Sequence, residues 1–310
     1  MTGPGRLVAV IGPTATGKSD LAVALARELG GEVVNADAMQ LYRGLDVGTA
    51  KVTAAERAGV AHHLLDVLDV TETASVAAYQ RDARAVVEEL LAAGRTPVLA
   101  GGSGLYVQAV LDELEFPGTD PRLRAELEAE LERLGPHALH ARLAEVDPAA
   151  AQVVLASNGR RIVRALEVVA LTGRPFPARL RTDGVPRYGA VLLGVDRDTA
   201  ELDARIGRRV ARMFAAGLVD ETRALLPGLR EGVTASRALG YQQVLTALDE
   251  GGDLGAAAAA TVLATRRFVR RQRSWFRRDK RVHWLDGAAP DLAEQALRRI
   301  EAVTGRQPVG

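Results

Sequence analysis

The sequence predicts an α/β fold, in which a parallel sheet flanked by helices is interrupted by a small all-helical insertion. Short apolar runs of strand length alternate with helical periodicity over residues 1–117, a pattern typical of a parallel sheet covered on both faces. Residues 118–185 show helical periodicity alone, after a segment rich in Pro and Gly. A strand-like run then returns, so we assign 1–117 and 186–310 to one core domain and 118–185 to the insertion.

The predicted strands are short apolar runs bounded by turn residues. They are Leu7–Ile11, Glu32–Asn35, His63–Leu68, Thr96–Ala100, Ala190–Val195 and Val282–Leu285. Two amphipathic helices, Asp20–Leu29 and Ser75–Ala93, separate the early strands, and Gly94 ends the second helix. In the insertion, leucines at helical spacing predict helices from Arg122 to about Gly173.

A complete glycine-rich phosphate-binding motif lies between the first predicted strand and helix. It reads G-x-x-x-x-G-K-S and consists of Gly12, Pro13, Thr14, Ala15, Thr16, Gly17, Lys18 and Ser19. In such a loop, backbone N–H groups surround a polyphosphate, the Lys reaches its outer phosphates and the Ser hydroxyl is available to Mg²⁺. Strand, loop and helix occur in the order that the motif requires, so we expect a P-loop NTPase-like core that handles a phosphorylated substrate.

Composition excludes several classes of protein. The 310 residues are 47% hydrophobic and 25% charged, which indicates a globular chain with a substantial core. There is no Cys, so disulfides, thiol nucleophiles and Cys-ligated zinc are excluded. The N-terminus lacks a secretory signal pattern, and the Ala-rich run 254–264 is too short to cross a bilayer. We therefore expect a cytoplasmic protein without membrane contact.

Positive charge is concentrated in one segment, although the formal net charge is only +1. Residues 266–281 contain eight Arg and one Lys against one Asp, interleaved with Phe268, Trp275 and Phe276. A basic helix with aromatic residues is typical of a surface that binds nucleic-acid backbone. A solvated helix whose aromatic residues belong to the core is an equally good interpretation of this segment alone.

A second group of arginines follows the predicted strand Ala190–Val195. Leu202, Ile206, Val210 and Phe214 form an apolar stripe, which places Arg205, Arg209 and Arg212 in a neighbouring row of the same helix. Such a row either is solvated or binds an anion. The phosphate-binding motif favours the anion.

A carboxylate follows the second predicted strand. Asp37 lies in the segment N-A-D-A-M-Q-L-Y, residues 35–42, at the edge of a parallel sheet where ligands bind. It can serve as a base or as a metal ligand.

The phosphate-binding loop alone leaves other functions open. The same loop would be used by an ATP-dependent nucleoside or small-molecule kinase, or by a non-catalytic RNA-binding ATPase.

Six blocks together resemble the bacterial tRNA dimethylallyltransferase family, also called isopentenyl-tRNA transferases. In order along the chain they are G-P-T-A-T-G-K-S at 12–19, N-A-D-A-M-Q-L-Y at 35–42, D-V-G-T-A-K at 46–51, G-G-S-G-L-Y at 101–106, R-A-L-G-Y-Q at 237–242 and T-R-R-F-V-R-R-Q-R-S-W-F at 265–276. The resemblance extends over nearly the whole chain, including the insertion.

The resemblance implies transfer of a dimethylallyl group from dimethylallyl diphosphate to N6 of the adenosine on the 3′ side of the anticodon, in tRNAs that read codons beginning with U. Asp37 is then the general base, and the phosphate-binding loop with Mg²⁺, Arg205 and Arg209 stabilises the diphosphate. The resemblance also implies that Ser103 contacts the substrate. The cofactor is Mg²⁺, held through Ser19, and the protein is expected to be a monomer.

The resemblance also implies a set of residues that bind the anticodon stem-loop. They are Asp37, Ala38, Met39, Gln40, Ser103, Arg124, Arg160, Arg161, Arg164, Arg237, Gly240, Tyr241, Gln242, Arg266, Arg270 and Arg271. Because a stacked adenine cannot reach a buried carboxylate, the base must be extruded into the pocket.

Overall fold

The computed structural model describes residues 6–177 and 184–305, and within them it contains a six-stranded parallel sheet. The strands are β1 Val8–Ile11, β2 Glu32–Asn35, β3 His62–His63, β4 Pro97–Gly101, β5 Val191–Asp196 and β6 His283–Asp286. Their order is β3-β2-β4-β1-β5-β6, and all neighbours are parallel. The predicted parallel α/β sheet is confirmed.

Helices connect and cover these strands. They are α1 Lys18–Glu28, α2 Val76–Ala92, α3 Gly104–Leu111, α4 Pro121–Val146, α5 Pro148–Ala151, α6 Gly159–Thr172, α7 Thr199–Ala215, α8 Leu218–Ala224, α9 Gly228–Glu231, α10 Tyr241–Glu250, α11 Leu254–Phe276 and α12 Leu292–Thr304. Short 3₁₀ turns occur at Ala38–Leu41, Arg187–Gly189 and Ala235–Arg237.

The central strand shows why both faces of the sheet are covered. Leu7, Ala9 and Ile11 pack into a buried cluster with α2 and α3, while Val8 and Val10 pack with α1 and α12 on the other face. Side chains alternate between the faces of a strand, so a strand that is apolar throughout needs helices on both sides.

Two elements are shorter in the structure than the sequence predicts. The strand predicted at His63–Leu68 is only His62–His63, because Leu64 has φ 60° and Asp66 has φ 58°, a left-handed conformation that ends a strand. The basic helix predicted to reach Arg281 ends at Phe276, and a turn joins it to β6.

The chain divides into two compact units, Met1–Asp112 with Thr182–Gly310, and Glu113–Arg181. The smaller unit contains α4 to α6, packed around buried Leu127, Leu143 and Ile162. Its longest helix bends at Gly135, which has φ 80°. Residues 178–183 of the predicted insertion, and 1–5 and 306–310 of the predicted core, lie outside the described residues.

Candidate active site

The phosphate-binding motif forms a tight loop between β1 and α1. Gly12 has φ 136°, and a Cβ atom there would lie 2.3 Å from the carbonyl oxygen of Val195. Gly17, with φ 100°, is the N-cap of α1. Both positions therefore require glycine. The first amide groups of α1 have no partner within the helix, so this end of α1 can bind an anion.

Lys18 is held inside this loop. Its Nζ donates to the carbonyl oxygen of Pro13 over 2.5 Å, and the hydroxyl of Thr16 donates to the same oxygen over 3.0 Å. Burial, reinforced by the nearby charge of Arg209, lowers the pKa of Lys18 to about 7, although the carboxylates of Asp37 and Asp196 oppose the shift. A bound polyphosphate would place negative charge beside Lys18 and so favour its charged form.

Asp37 is fixed at the end of β2 by its neighbours. The side-chain oxygen of Asn35 accepts from the Asp37 amide over 2.9 Å, and its Nδ2 donates to the Asp37 carbonyl over 3.0 Å. The Oδ1 atom of Asp37 accepts from the Met39 amide over 3.0 Å and caps the following 3₁₀ turn. Within the described chain, the second carboxylate oxygen has no hydrogen bond and can accept a proton.

The glycine-rich turn after β4 packs directly against the Asp37 segment. Ser103 Oγ accepts from the Ala38 amide over 3.1 Å, which connects Ser103 to the residue beside Asp37. A Cβ atom on Gly101 would lie 2.2 Å from the carbonyl oxygen of Ala36. This close approach of two backbones explains the glycine and brings Ser103 and Asp37 to the same edge of the sheet.

Helix α7 adds the predicted arginines to this edge. Arg205 Nε donates to the carbonyl oxygen of Ala15 over 2.9 Å, and Ala15 itself has φ 66°. Arg209 donates to the carbonyl oxygen of Thr49 over 3.1 Å. Burial lowers the pKa of Arg209, and the charge of Asp37 partly offsets this. The charge of Arg209 therefore interacts with the charges of both Lys18 and Asp37.

One cavity of about 690 Å³ collects these groups, a volume typical of small-ligand sites. Its lining includes Thr14, Ala15, Gly17, Lys18, Ser19, Asp37, Gln40, Thr49, Arg205, Arg208, Arg209 and Arg212. The structure thus brings the phosphate-binding loop, the α7 arginines and Asp37 together. Ser103 lies beside this lining, next to Gly102.

The segment Asp46–Lys51 is held by polar contacts that are partly buried. The carboxylate of Glu221 accepts from the Val47 amide over 2.9 Å, and Lys51 donates to the side chains of Asp46 and Asp66. Tyr241 donates to Glu221 and accepts from the Gly48 amide. Tyr241 is 0% exposed, so it stabilises this segment, and its expected contact with tRNA stays a prediction.

The basic segment 266–281 is divided between two roles. Arg273 and Arg277 form ion pairs with Asp196, and Arg281 pairs with Asp112 and Asp279. Arg266 lies near Asp203 of α7. Arg270 and Arg271 are exposed. The exposed arginines of α11 therefore form a candidate RNA surface, and the paired ones attach the segment to the core.

The remaining predicted RNA-binding residues differ in exposure. In the smaller unit, Arg124 and Arg164 pair with buried Glu167, whereas Arg160 and Arg161 are exposed. In the larger unit, Arg237 and Gln242 are exposed. Gly240 is buried with φ 92°, and its amide donates to the side chain of Gln243.

Sequence reasoning missed two residues of the site. Gln272 accepts from the Thr14 amide, and Glu221 holds the Asp46–Lys51 segment. The signal for Gln272 was a polar residue on the buried stripe of α11, between Val269 and Phe276. Glu221 carried no comparable signal, because its partners are the hydroxyl of Tyr241 and backbone amides that are distant in sequence.

Two features are absent from the part of the chain that the structure describes. Residues 6–177 and 184–305 contain no group of three or more His, Cys, Asp or Glu placed to hold a metal ion. None of the helices in these ranges is long and apolar enough to span a membrane.

Comparisons with known proteins agree with the resemblance. The model of the IPP transferase family matches residues 40–279, which is most of the chain. A tRNA dimethylallyltransferase of Saccharopolyspora erythraea is 70% identical over 289 residues, covering 93% of each chain. That of Streptomyces avermitilis is 65% identical over 306 residues, covering 98% of this chain and 97% of the relative.

Solved structures are similar over nearly the whole chain. The tRNA isopentenylpyrophosphate transferase of Bacillus halodurans is 39% identical with a TM-score of 0.71, and covers 97% of this chain and 96% of its own. A eukaryotic dimethylallyltransferase acting on tRNA is 22% identical with a TM-score of 0.81, over 99% of this chain and 81% of its own, and supports the fold alone. The kinase alternative is not favoured, and the chain belongs to the IPP transferase family, the tRNA dimethylallyltransferases.

Proposed function

We propose that this transferase moves a dimethylallyl group from dimethylallyl diphosphate to N6 of the adenosine on the 3′ side of the anticodon, in tRNAs that read codons beginning with U. One observation carries the proposal: a single cavity is lined by both the phosphate-binding loop and Asp37. A leaving diphosphate and a proton acceptor are the two groups that prenylation of an amine requires.

The leaving group is stabilised by positive charge at one end of the cavity. Transfer breaks the bond between the allylic carbon and the diphosphate oxygen, and the electron pair leaves with the diphosphate. Lys18, Arg205 and Arg209 line the cavity beside the amide groups at the start of α1. Removing one well-placed donor to such developing charge commonly lowers a rate by about 10²–10³.

Asp37 accepts the proton at the other end of the reacting pair. The lone pair of an adenine amine is conjugated with the ring, so N6 becomes a good nucleophile only as its proton is removed. The free carboxylate oxygen of Asp37 takes this proton as the bond between N6 and the allylic carbon forms. General-base catalysis of this kind contributes about 10²–10⁴ to a rate. Ser103, bonded to Ala38, positions this segment.

Mg²⁺ fits the site through Ser19 and the diphosphate together. The Ser19 side chain is exposed at the first turn of α1, and the described residues provide no separate cluster of metal ligands. Ser19 would therefore hold an ion that the substrate brings to the loop. When bound, Mg²⁺ neutralises part of the charge on the diphosphate.

The RNA is gripped by exposed arginines outside the cavity. Arg270 and Arg271 on α11, and Arg160 and Arg161 of the smaller unit, are exposed and are proposed to bind phosphates. Gln40, Arg237 and Gln242 are proposed to contact bases. The target adenine leaves the anticodon stack to reach Asp37. Because tRNA is the acceptor, the proposed location is the cytoplasm. We also propose that the protein acts as a monomer.

The direct test incubates the full chain with unmodified tRNA, dimethylallyl diphosphate and Mg²⁺, and follows the mass of the tRNA nucleosides. We expect one adenosine per tRNA to gain one dimethylallyl group, only when all three are present. ATP replaces the prenyl donor in a parallel reaction. Rapid ATP hydrolysis without change in the RNA would overturn the proposal in favour of a kinase or an ATPase.

A further inference from the structure

The buried face of α11 carries one amide side chain that contacts both the phosphate-binding loop and the glycine-rich turn after β4. Gln272 is 5% exposed. Its Oε1 atom accepts from the Thr14 amide over 3.0 Å, and its Nε2 atom donates to the Gly102 carbonyl over 2.9 Å. Thr14 belongs to the phosphate-binding loop, and Gly102 precedes Ser103. One side chain therefore bridges the two loops that flank the reaction.

The glycine-rich turn after β4 lies very close to Gln272 and its neighbours on α11. A Cβ atom on Gly102 would lie 2.3 Å from Nε2 of Gln272, and one on Gly104 would lie 2.3 Å from the ring of Trp275. Residues 272 and 275 are about one helical turn apart, so one stretch of α11 packs along the whole glycine-rich turn. Gly102 and Gly104 therefore lie where a side chain would collide with α11.

A second contact from the same helix reaches the other end of the phosphate-binding loop. Arg273 donates to Asp196 over 2.9 Å and also to the carbonyl of Arg197. Arg197 Nε in turn donates to the carbonyl of Thr16 over 3.0 Å. Neighbouring residues of α11 thus fix the loop at both Thr14 and Thr16.

We propose that Gln272 is a positioning residue for prenyl transfer. It fixes the position of the phosphate-binding loop relative to the glycine-rich turn that carries Ser103. This rests on the proposed function. An amide suits the role because it presents one acceptor and one donor in a plane, which matches an N–H group and a carbonyl. Gln272 touches no reacting atom, and it acts through the backbone of Thr14 and Gly102.

The test compares Gln272→Met, which keeps the length but removes both hydrogen bonds, with Gln272→Glu, which keeps the acceptor but places an oxygen against the Gly102 carbonyl. We expect kcat to fall about 10- to 100-fold in both, as a small displacement of reacting groups commonly produces. Pyrophosphate affinity, measured by calorimetry without RNA, should weaken in Gln272→Met and less in Gln272→Glu. Affinity for tRNA should stay within about twofold.

Gln295→Met is the matched control, because Gln295 on α12 also donates a side-chain hydrogen bond, to Asp291 over 2.7 Å. It should leave kcat unchanged. If both Gln272 variants keep the kcat and pyrophosphate affinity of the parent, the proposal is overturned. A parent protein that binds pyrophosphate but never prenylates tRNA would instead overturn the proposed function, and the calorimetry would still test the bridge.

Gly102→Ala provides a second line if the Gln272 variants fold poorly. Its methyl group should displace the Gln272 amide, and combining it with Gln272→Ala should cost less than the sum of the two single changes, because residues in contact are not additive. Strictly additive losses in kcat would contradict a shared role.

Discussion

The Nζ atom of Lys18 lies 2.5 Å from the carbonyl oxygen of Pro13, so the ammonium is bonded inside its own loop. Burial and the charge of Arg209 lower the pKa of Lys18 to about 7. Below this pH the Lys18 side chain of the free protein is a charged ammonium, and above this pH it is a neutral amine. A bound anion favours the charged form and raises the pKa, so binding above pH 7 takes up a proton.

We therefore expect pyrophosphate to bind with proton uptake by Lys18 at pH 8 and with little at pH 6, and its affinity to fall as the pH rises above about 7. Calorimetry in buffers of different ionisation enthalpy measures the protons exchanged. Lys18→Met gives the protons that belong to pyrophosphate itself. Equal proton exchange by the parent and this variant at pH 8 would show that Lys18 does not titrate on binding.

Replacing Asp37 separates binding from chemistry. Asparagine can still accept from the Met39 amide and cap the 3₁₀ turn, but it cannot take a proton. We expect Asp37→Asn to bind tRNA normally and to lose about 10²–10⁴ in single-turnover rate. Asp249→Asn is the control, because Asp249 forms a surface ion pair with Arg230. A normal rate in Asp37→Asn would remove Asp37 as the base.

The exposed arginines of α11 should govern the salt dependence of RNA binding. Each cation that contacts a phosphate releases counterions, which makes binding weaken with salt. We expect Arg270→Ala with Arg271→Ala to weaken tRNA binding and to reduce the slope of log affinity against log salt by about 1 to 2. Filter binding over a range of salt measures this.

Arg298→Ala provides the comparison, because Arg298 is an exposed arginine of α12 that pairs with Asp291. Its loss should leave the slope unchanged. An unchanged slope in the double variant as well would detach α11 from the RNA.

Local sequence was sufficient for the features that depend on neighbouring residues. The phosphate-binding loop is determined by a strand, two glycines and a helix that are contiguous in sequence. The arginine row of α7 follows from helical spacing, since the buried positions Leu202, Ile206 and Val210 fix the neighbouring row of the same helix. Asp37 could be placed because the carboxyl ends of parallel strands share one edge of the sheet.

Contacts between distant residues could not be read in the same way. Thr14 and Gln272 are 258 positions apart, and no periodicity relates them. The pairing of Arg273 with Asp196 likewise turns part of a basic segment into an internal attachment, which charge counting cannot reveal. The strand predicted at His63–Leu68 failed because apolar composition does not report the left-handed backbone at Leu64.

Glu167 should matter for stability in the smaller unit. Its side chain is 0% exposed and pairs with Arg124 and Arg164, which are 36% and 26% exposed. Burial disfavours its charge, but the hydrogen bonds from both guanidinium groups outweigh this, and the pKa of Glu167 is lowered. Glu167→Gln keeps the shape and removes the charge. We expect a loss of about 1–3 kcal/mol in the free energy of unfolding at pH 7.

The pH dependence gives this prediction its sign. A carboxyl group with a lowered pKa in the folded state stabilises the protein above its unfolded value, 4.5, and loses that contribution as the pH falls through the folded value. Urea unfolding at pH 7 and pH 3 should therefore show a difference between parent and Glu167→Gln that shrinks in acid. Arg160→Ala, an exposed change on the same helix, should leave stability unchanged at both pH values. A difference that persists undiminished at pH 3 would mean that the charge of Glu167 is not what holds Arg124 and Arg164.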